Sequence, residues 1–272
     1  MRVAAIQMRS ALTPDENLPA LEKFVRQAAS QGAVYIQTPE MTGAMQRDKS
    51  AFAARLRTQK DDVIVAAASQ LARELRITLH IGSTAILRED GKMANRAFIF
   101  GPDGTLQATY DKIHMFDVDL PDGESWRESA TYTGGAEAVM VQVGEAKIGL
   151  AICYDLRFAE LFRVYASNGA HILALPAAFT RQTGEAHWHI LLRARAIETG
   201  SFVVAAAQGG NHADGRQTYG HSMIIDPWGR ILAEKDDNEP GIIIADLNLT
   251  DVEATRARIP NLKNRREIHL RG

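Results

Sequence analysis

Cys153 is the only cysteine in this 272-residue chain. It closes an apolar run, Lys147–Ile152, and directly precedes a segment with helical spacing. A strand-to-helix switch exposes a side chain at a sharp turn and places the first unpaired N–H groups of a helix beside it. That setting suits a nucleophile and its oxyanion, although most lone cysteines are buried structural thiols. A thiol with an ordinary pKa of about 8.5 needs a base. Eight histidines are available, yet none of His114, His187, His189 or His221 carries a local pattern that pairs it with Cys153. A carboxylate with a lysine is the other route to an active thiol. Glu40 follows Thr38-Pro39 just beyond a short apolar run. Lys112 sits at the end of another run, in Tyr110-Asp111-Lys112-Ile113-His114. Taken singly, each also fits a solvated surface charge. No metal is expected: His187 and His189 are two apart, a spacing that diverges on a helix, and His212 and Asp214 lie in a Gly-rich loop without further ligands. No Gly-rich phosphate loop follows a strand, so no cofactor is expected either.

The elements that must position these residues alternate along the chain. Strands are expected at 3–8, 34–36, 78–87, 96–100, 106–110, 139–143, 147–152, 171–175, 202–207, 220–226, 230–234 and 241–247. Helices are expected at 15–32, 61–76, 155–168 and 184–199, with Gly32 and Gly169 as stops. From Thr250 onward the chain is basic and weakly patterned. Helices interleave with strands, hairpins recur, and the strands are apolar on both sides. An α/β fold with a mixed sheet covered on both faces follows.

Composition narrows the class. There are 31 Lys+Arg against 33 Asp+Glu, a formal net charge of -2, and 46% of residues are hydrophobic. This balance offers no general attraction to nucleic acid or anionic membranes. No apolar run approaches the roughly 18 residues of a membrane span. The opening Met1–Gln7 reaches a polar residue too early for a signal peptide, and a lone thiol suits a reducing compartment, so a cytoplasmic protein is expected. No linker or charge block marks a boundary, and one domain over 1–272 is the simplest organisation.

Three segments together resemble the nitrilase superfamily of carbon–nitrogen hydrolases: Gln37-Thr38-Pro39-Glu40, Tyr110-Asp111-Lys112-Ile113-His114, and Gly149-Leu150-Ala151-Ile152-Cys153-Tyr154-Asp155-Leu156-Arg157. Glu, Lys, Cys is that family's catalytic order. The opening 4–8 and the late 219–229 also fit, so the resemblance spans nearly the whole chain. Residues 186–198 and 202–208 are most similar to the branch of deaminated-glutathione amidases and ω-amidases. Two positions depart from it: Ala159 replaces a usual proline, and His189 stands where a glutamate is often found.

The resemblance implies a four-layer α-β-β-α sandwich with mixed sheets and at least a homodimer, with the helices after Cys153 and at 184–199 at the interface. It implies Glu40 as general base, Cys153 as the residue that carries a thioester, and Lys112 with the Tyr154 N–H as oxyanion donors. Glu128, in Trp126-Arg127-Glu128-Ser129, matches a second carboxylate that holds the lysine. Tyr154, Phe179 and Thr180 are expected to line the substrate pocket, and Arg157 or Arg181 to anchor a substrate carboxylate. The substrate implied is a small carboxylated amide: deaminated glutathione, hydrolysed to 2-oxoglutarate and cysteinylglycine, with 2-oxoglutaramate and N-carbamoyl amino acids as alternatives. Tyr154-Asp155 in place of Trp-Glu disfavours nitriles. Two readings of a different class are a catalytically silent interaction protein on the same fold and a Cys–His peptidase.

Overall fold

The computed structural model describes residues 1–120, 123 and 125–272. In chain order the strands are β1 (Arg2–Gln7), β2 (Tyr35–Gln37), β3 (Thr78–Leu87), β4 (Met93–Phe100), β5 (Leu106–Asp111), β6 (Asp117–Asp119), β7 (Ser125–Arg127), β8 (Met140–Val143), β9 (Ala146–Leu150), β10 (Ile172–Ala174), β11 (Phe202–Ala205), β12 (Gly209–Asn211), β13 (Gln217–Tyr219), β14 (Met223–Ile225), β15 (Ile231–Glu234) and β16 (Gly241–Asp246). The helices are α1 (Pro14–Ser30), α2 (Lys49–Arg55), α3 (Val63–Leu75), α4 (Ala159–Ser167), α5 (Arg181–Thr199) and α6 (Thr250–Arg258).

Two six-stranded sheets carry the fold, in the orders β16-β1-β2-β3-β4-β5 and β8-β9-β10-β11-β14-β15. Read in those directions, both pair antiparallel, parallel, parallel, antiparallel, antiparallel. The two halves therefore repeat one design that shows no repeat in the sequence. Side-chain alternation along β1 shows the layering. Ala4 and Ile6 pack with Leu21, Val25 and Ala28 of α1 and Ile64, Ala68 and Leu71 of α3. Val3 and Ala5 join the other cluster, with Ile148, Leu150, Ile172 and Ala174 of the second sheet. That cluster continues to Phe162 and Tyr165 of α4 and Trp188 and Leu192 of α5. The result is the expected α-β-β-α sandwich, with both sheets mixed and both faces of each covered.

Local chemistry sets the helix ends. Thr13 caps α1 ahead of Pro14, Asp62 caps α3 through its side chain, and Gly200 ends α5 in the left-handed conformation. One expected helix is divided: residues 153–157 form a 3-10 turn, and α4 begins only at Ala159, with Phe158 non-helical between them. The weakly patterned terminus contains α6, held by Arg256, which donates to the carbonyls of Thr199 and Ala170. His221 does not start a strand: it lies two residues before β14 with a left-handed φ of 54°. Close approaches that require glycine include those at positions 149 and 82. A Cβ on Gly149 would stand 2.5 Å from the Tyr165 ring, and one on Gly82 would meet the carbonyls of Thr38 and Pro39 at 2.1 and 2.6 Å. Gly82 thus lets β3 press against the segment that leads to Glu40.

His80, on β3, is fully buried with Nδ1 2.7 Å from the Tyr35 hydroxyl. Burial depresses its pKa to about 3. An unfolded histidine titrates near pH 6.5, so below that pH the unfolded chain takes up a proton that the folded chain refuses. The stabilisation from neutral His80 is complete above pH ~6.5 and declines by about 1.4 kcal/mol per unit as pH falls toward the folded value. Heat denaturation between about pH 7 and pH 5 is expected to show this slope and a shallower one in His80→Gln; equal slopes would contradict it.

Candidate active site

Three strand ends converge between the sheets. Glu40 lies just beyond β2, Lys112 directly after β5, and Cys153 shortly after β9. Backbone bonds hold the latter two in place. The Lys112 N–H donates to the Asn95 carbonyl at 3.0 Å, and the Cys153 N–H donates to the Pro176 carbonyl at 2.9 Å. Cys153 has a φ of 51°, a left-handed conformation uncommon for a residue with a Cβ. It opens the 3-10 turn, so the Tyr154 N–H precedes the first intrahelical bond, from the Asp155 N–H to the Ile152 carbonyl.

Lys112 is the charge at the centre. It is 2% exposed. Its Nζ donates to Glu40 Oε1 at 2.9 Å and to both oxygens of Glu128 at 3.0 and 2.8 Å. Burial opposes its charge, but Glu128 and Glu40 outweigh that, and its pKa lies well above the usual lysine value. Glu40 is 4% exposed. Its Oε1 also accepts from Asn95 Nδ2 at 2.9 Å, and its Oε2 accepts from the Ala178 N–H at 2.9 Å. Burial raises the Cys153 pKa well above the ordinary thiol value. The neighbouring Glu40 charge and a hydrogen bond to Glu40 raise it further, against the opposing pull of Lys112. Burial and Glu40 together thus favour the neutral thiol over the thiolate.

Asp155 pins the nucleophile turn to the lysine segment. It is fully buried. Its Oδ2 accepts from the Tyr110 hydroxyl at 2.7 Å and the Ile152 N–H at 2.9 Å. Its Oδ1 lies 3.0 Å from the His114 N–H and 2.7 Å from His114 Nδ1. Tyr110 and His114 flank Lys112 by two residues on either side, so one carboxylate sets the spacing between Lys112 and Cys153. The His114 ring then stacks on Phe158 at 3.5 Å.

A cavity of about 550 Å³ opens onto Cys153, Lys112, Glu40 and Glu128. Tyr154, Phe179, Thr180 and Arg157 line it. The Arg157 guanidinium lies over the Tyr154 and Phe179 rings at 5.9 and 5.5 Å. Among the described residues its polar contact is with His187 Nδ1, at 3.3 Å, rather than with a carboxylate. Arg127 and Arg216, also on the wall, are paired to Asp119 and Asp214. Arg181 is a correction to the sequence reading. It lies outside the cavity lining, opens α5 three residues earlier than the spacing suggested, is exposed, and pairs with Glu185 one turn on. Thr180 caps that helix, its Oγ1 accepting from the Thr183 N–H.

A family model described as "Carbon-nitrogen hydrolase" matches residues 2–257. The chain belongs to the carbon–nitrogen hydrolase family. This hydrolase is 38% identical over 268 residues to a deaminated glutathione amidase of Synechocystis, covering 96% of this chain and 97% of that one. It is 34% identical over 267 residues to the omega-amidase of Homo sapiens, covering 97% and 95%. Among solved structures, the NitFhit protein of C. elegans superposes with a TM-score of 0.90 at 34% identity, over 97% of this chain and 65% of that one. The hydrolase thus stands near the deaminated-glutathione amidase and ω-amidase branch of the nitrilase superfamily, with amidase activity toward small C–N substrates.

Three contributors to the hydrolase's site went unread in the sequence. Asn95 bridges Glu40 and Glu128 through Nδ2, at 2.9 and 3.2 Å; it lies just before the strand expected at 96–100, where no pattern marked it. Asp155 was visible only as part of a motif. Ala178 acts through its N–H, which no side-chain pattern reveals. Asp155→Ala is expected to leave at least two buried donors unpaired and to lower unfolding stability by at least about 3 kcal/mol. Denaturant titration measures this, with amidase activity falling in parallel. A variant of wild-type stability would show that the carboxylate is not the pin.

Proposed function

We propose that this hydrolase cleaves the amide of deaminated glutathione, releasing 2-oxoglutarate and cysteinylglycine, through a thioester on Cys153. The observation that carries the reading is the buried Lys112 ammonium held between Glu40 and Glu128 at the mouth of Cys153. Glu40 takes the thiol proton as sulfur attacks the amide carbonyl. Lys112 Nζ and the Tyr154 N–H receive the oxyanion, which needs fixed donors in a site closed to bulk water. The intermediate collapses as Glu40 returns the proton to the leaving nitrogen. Glu40 then deprotonates water, which attacks the thioester and frees the acid and the thiol. Glu128 and Asn95 position Lys112 and Glu40. Arg157 binds the 2-oxo acid carboxylate. A cavity of about 550 Å³ has room for a leaving group larger than ammonia, and this supports deaminated glutathione over 2-oxoglutaramate.

Production of 2-oxoglutarate from the two amides, measured side by side, is the direct test. Deaminated glutathione is expected to have the higher kcat/KM, with activity absent in Cys153→Ala. Lys112→Met is expected to lose at least about 10²–10³-fold in rate. Arg157→Gln is expected to lose about 10–100-fold in kcat/KM. Preference for 2-oxoglutaramate would reassign the substrate; Cys153-independent activity would overturn the mechanism.

We also infer a homodimer built on α5. Ile190 and Ile197 are seven residues apart on one exposed helix face, 70% and 53% accessible. Ile197 lies against Gly229 in the turn that carries exposed Trp228, and Ile231 and Leu232 follow at the start of β15. A second copy covering this ridge removes it from water. Light scattering on the eluting protein is expected to give twice the chain mass, shifting toward monomer in Ile197→Lys; a monomeric parent would exclude the interface.

A further inference from the structure

We propose that His189, His221 and Glu234 form a binding site for one divalent transition-metal ion of the zinc class, outside the catalytic cavity. The three come from distant parts of the chain: α5, the connection between β13 and β14, and the last residue of β15. None lines the active-site cavity, and the amidase mechanism uses none of them. Two ring nitrogens converge on one carboxylate oxygen. His189 Nε2 lies 2.7 Å from Glu234 Oε1, and His221 Nδ1 lies 3.1 Å from the same atom.

One donor atom from each residue lies within 4.8 Å of the other two. Tetrahedral ligands at zinc bond lengths of roughly 2.0–2.1 Å are separated by about 3.4 Å, so modest side-chain adjustment seats an ion. Two imidazoles and one carboxylate are a ligand set that zinc, cobalt and nickel accept. The side chains are 33%, 19% and 22% exposed, which leaves a coordination position for water and a path of entry.

The surroundings hold the ligands in place. The left-handed φ of His221 turns its ring back toward α5, the ring stacks on Tyr219 at 4.1 Å, and its carbonyl accepts from Trp188 Nε1 at 2.8 Å. His189, next to Trp188 in sequence, therefore meets a loop already tied to its own helix. Glu234 supplies one negative charge, and Asp237 acts electrostatically on His221 as a second. Lys235, next to Glu234 in sequence, is engaged by Asp237. An ion here would clip α5 to the β14–β15 hairpin. The site also neighbours the cavity wall, because Trp188 packs on Phe179 at 4.8 Å. The sequence offered no sign of it: the i,i+2 pair His187 and His189 diverges, and the true partners of His189 are 32 and 45 residues further along the chain.

The test uses full-length Cys153→Ala protein, chelator-treated and dialysed, so that the active-site thiol does not compete for metal. Calorimetric titration with zinc chloride is expected to show one saturable equivalent per chain. Cobalt chloride is expected to give the visible absorption of a four-coordinate ion, and zinc to raise the heat-denaturation midpoint. His221→Asn suits the left-handed backbone, and His189→Gln retains a hydrogen-bonding group. Added separately to the Cys153→Ala chain, each is expected to leave the metal-free midpoint near that of the parent. Each is also expected to weaken zinc binding more than about 100-fold, beyond what loss of an outer-sphere partner costs. If either misfolds, Glu234→Gln takes its place. No saturable binding in the parent, or undiminished binding in the variants, would overturn the site.

Discussion

A lysine ammonium taken almost wholly out of water is the constraint on which this structure depends. Lys112 keeps its charge only because two carboxylates surround it, one from the loop after β2 and one from the 3-10 turn at Glu128–Ala130. Removing a charge from water without partners costs several kcal/mol or more, and its attraction to those partners repays this only with good geometry. The ends of β2 and β5 must therefore meet. The glycine at position 82 lets β3 close on the Glu40 segment, and Asn95 occupies the space between the two carboxylates.

The same arrangement sets the state of the nucleophile. Burial disfavours a negative charge on the sulfur, and the neighbouring Glu40 disfavours it further, against the pull of Lys112. The neutral thiol is the favoured form. In the mechanism we propose, the proton moves when a carbonyl carbon arrives to share the sulfur's electrons and the developing oxyanion comes under the lysine. On that proposal the driving force for proton transfer depends on bound substrate, and no free thiolate is left open to oxidation.

Each sheet contributes one part of this chemistry. The first sheet brings Glu40 and Lys112; the second brings Cys153 and the Ala178 N–H that holds Glu40. Their shared strand pattern places loops of both halves at one seam, and the packing of one sheet on the other sets the catalytic distances. Asp155 reaches across that seam to Tyr110 and His114.

The sequence by itself determined the class of chemistry and most of the scaffold. The lone Cys153 at a strand-to-helix switch, Glu40 after Pro39 and Lys112 at a strand end were legible because each motif is contiguous. Strands apolar on both sides implied covered sheets because the side-chain period of two is written locally. The division of one helix at Phe158, the exclusion of Arg181 from the cavity and the pairing of His189 with Glu234 were decided only by tertiary structure. So were the bridging role of Asn95 and the pin at Asp155. These depend on which residues distant in sequence share a few ångströms, and on which buried donors remain to be satisfied after the backbone has formed its own bonds. No local pattern encodes that, because the competing partners exist only once the two sheets have packed.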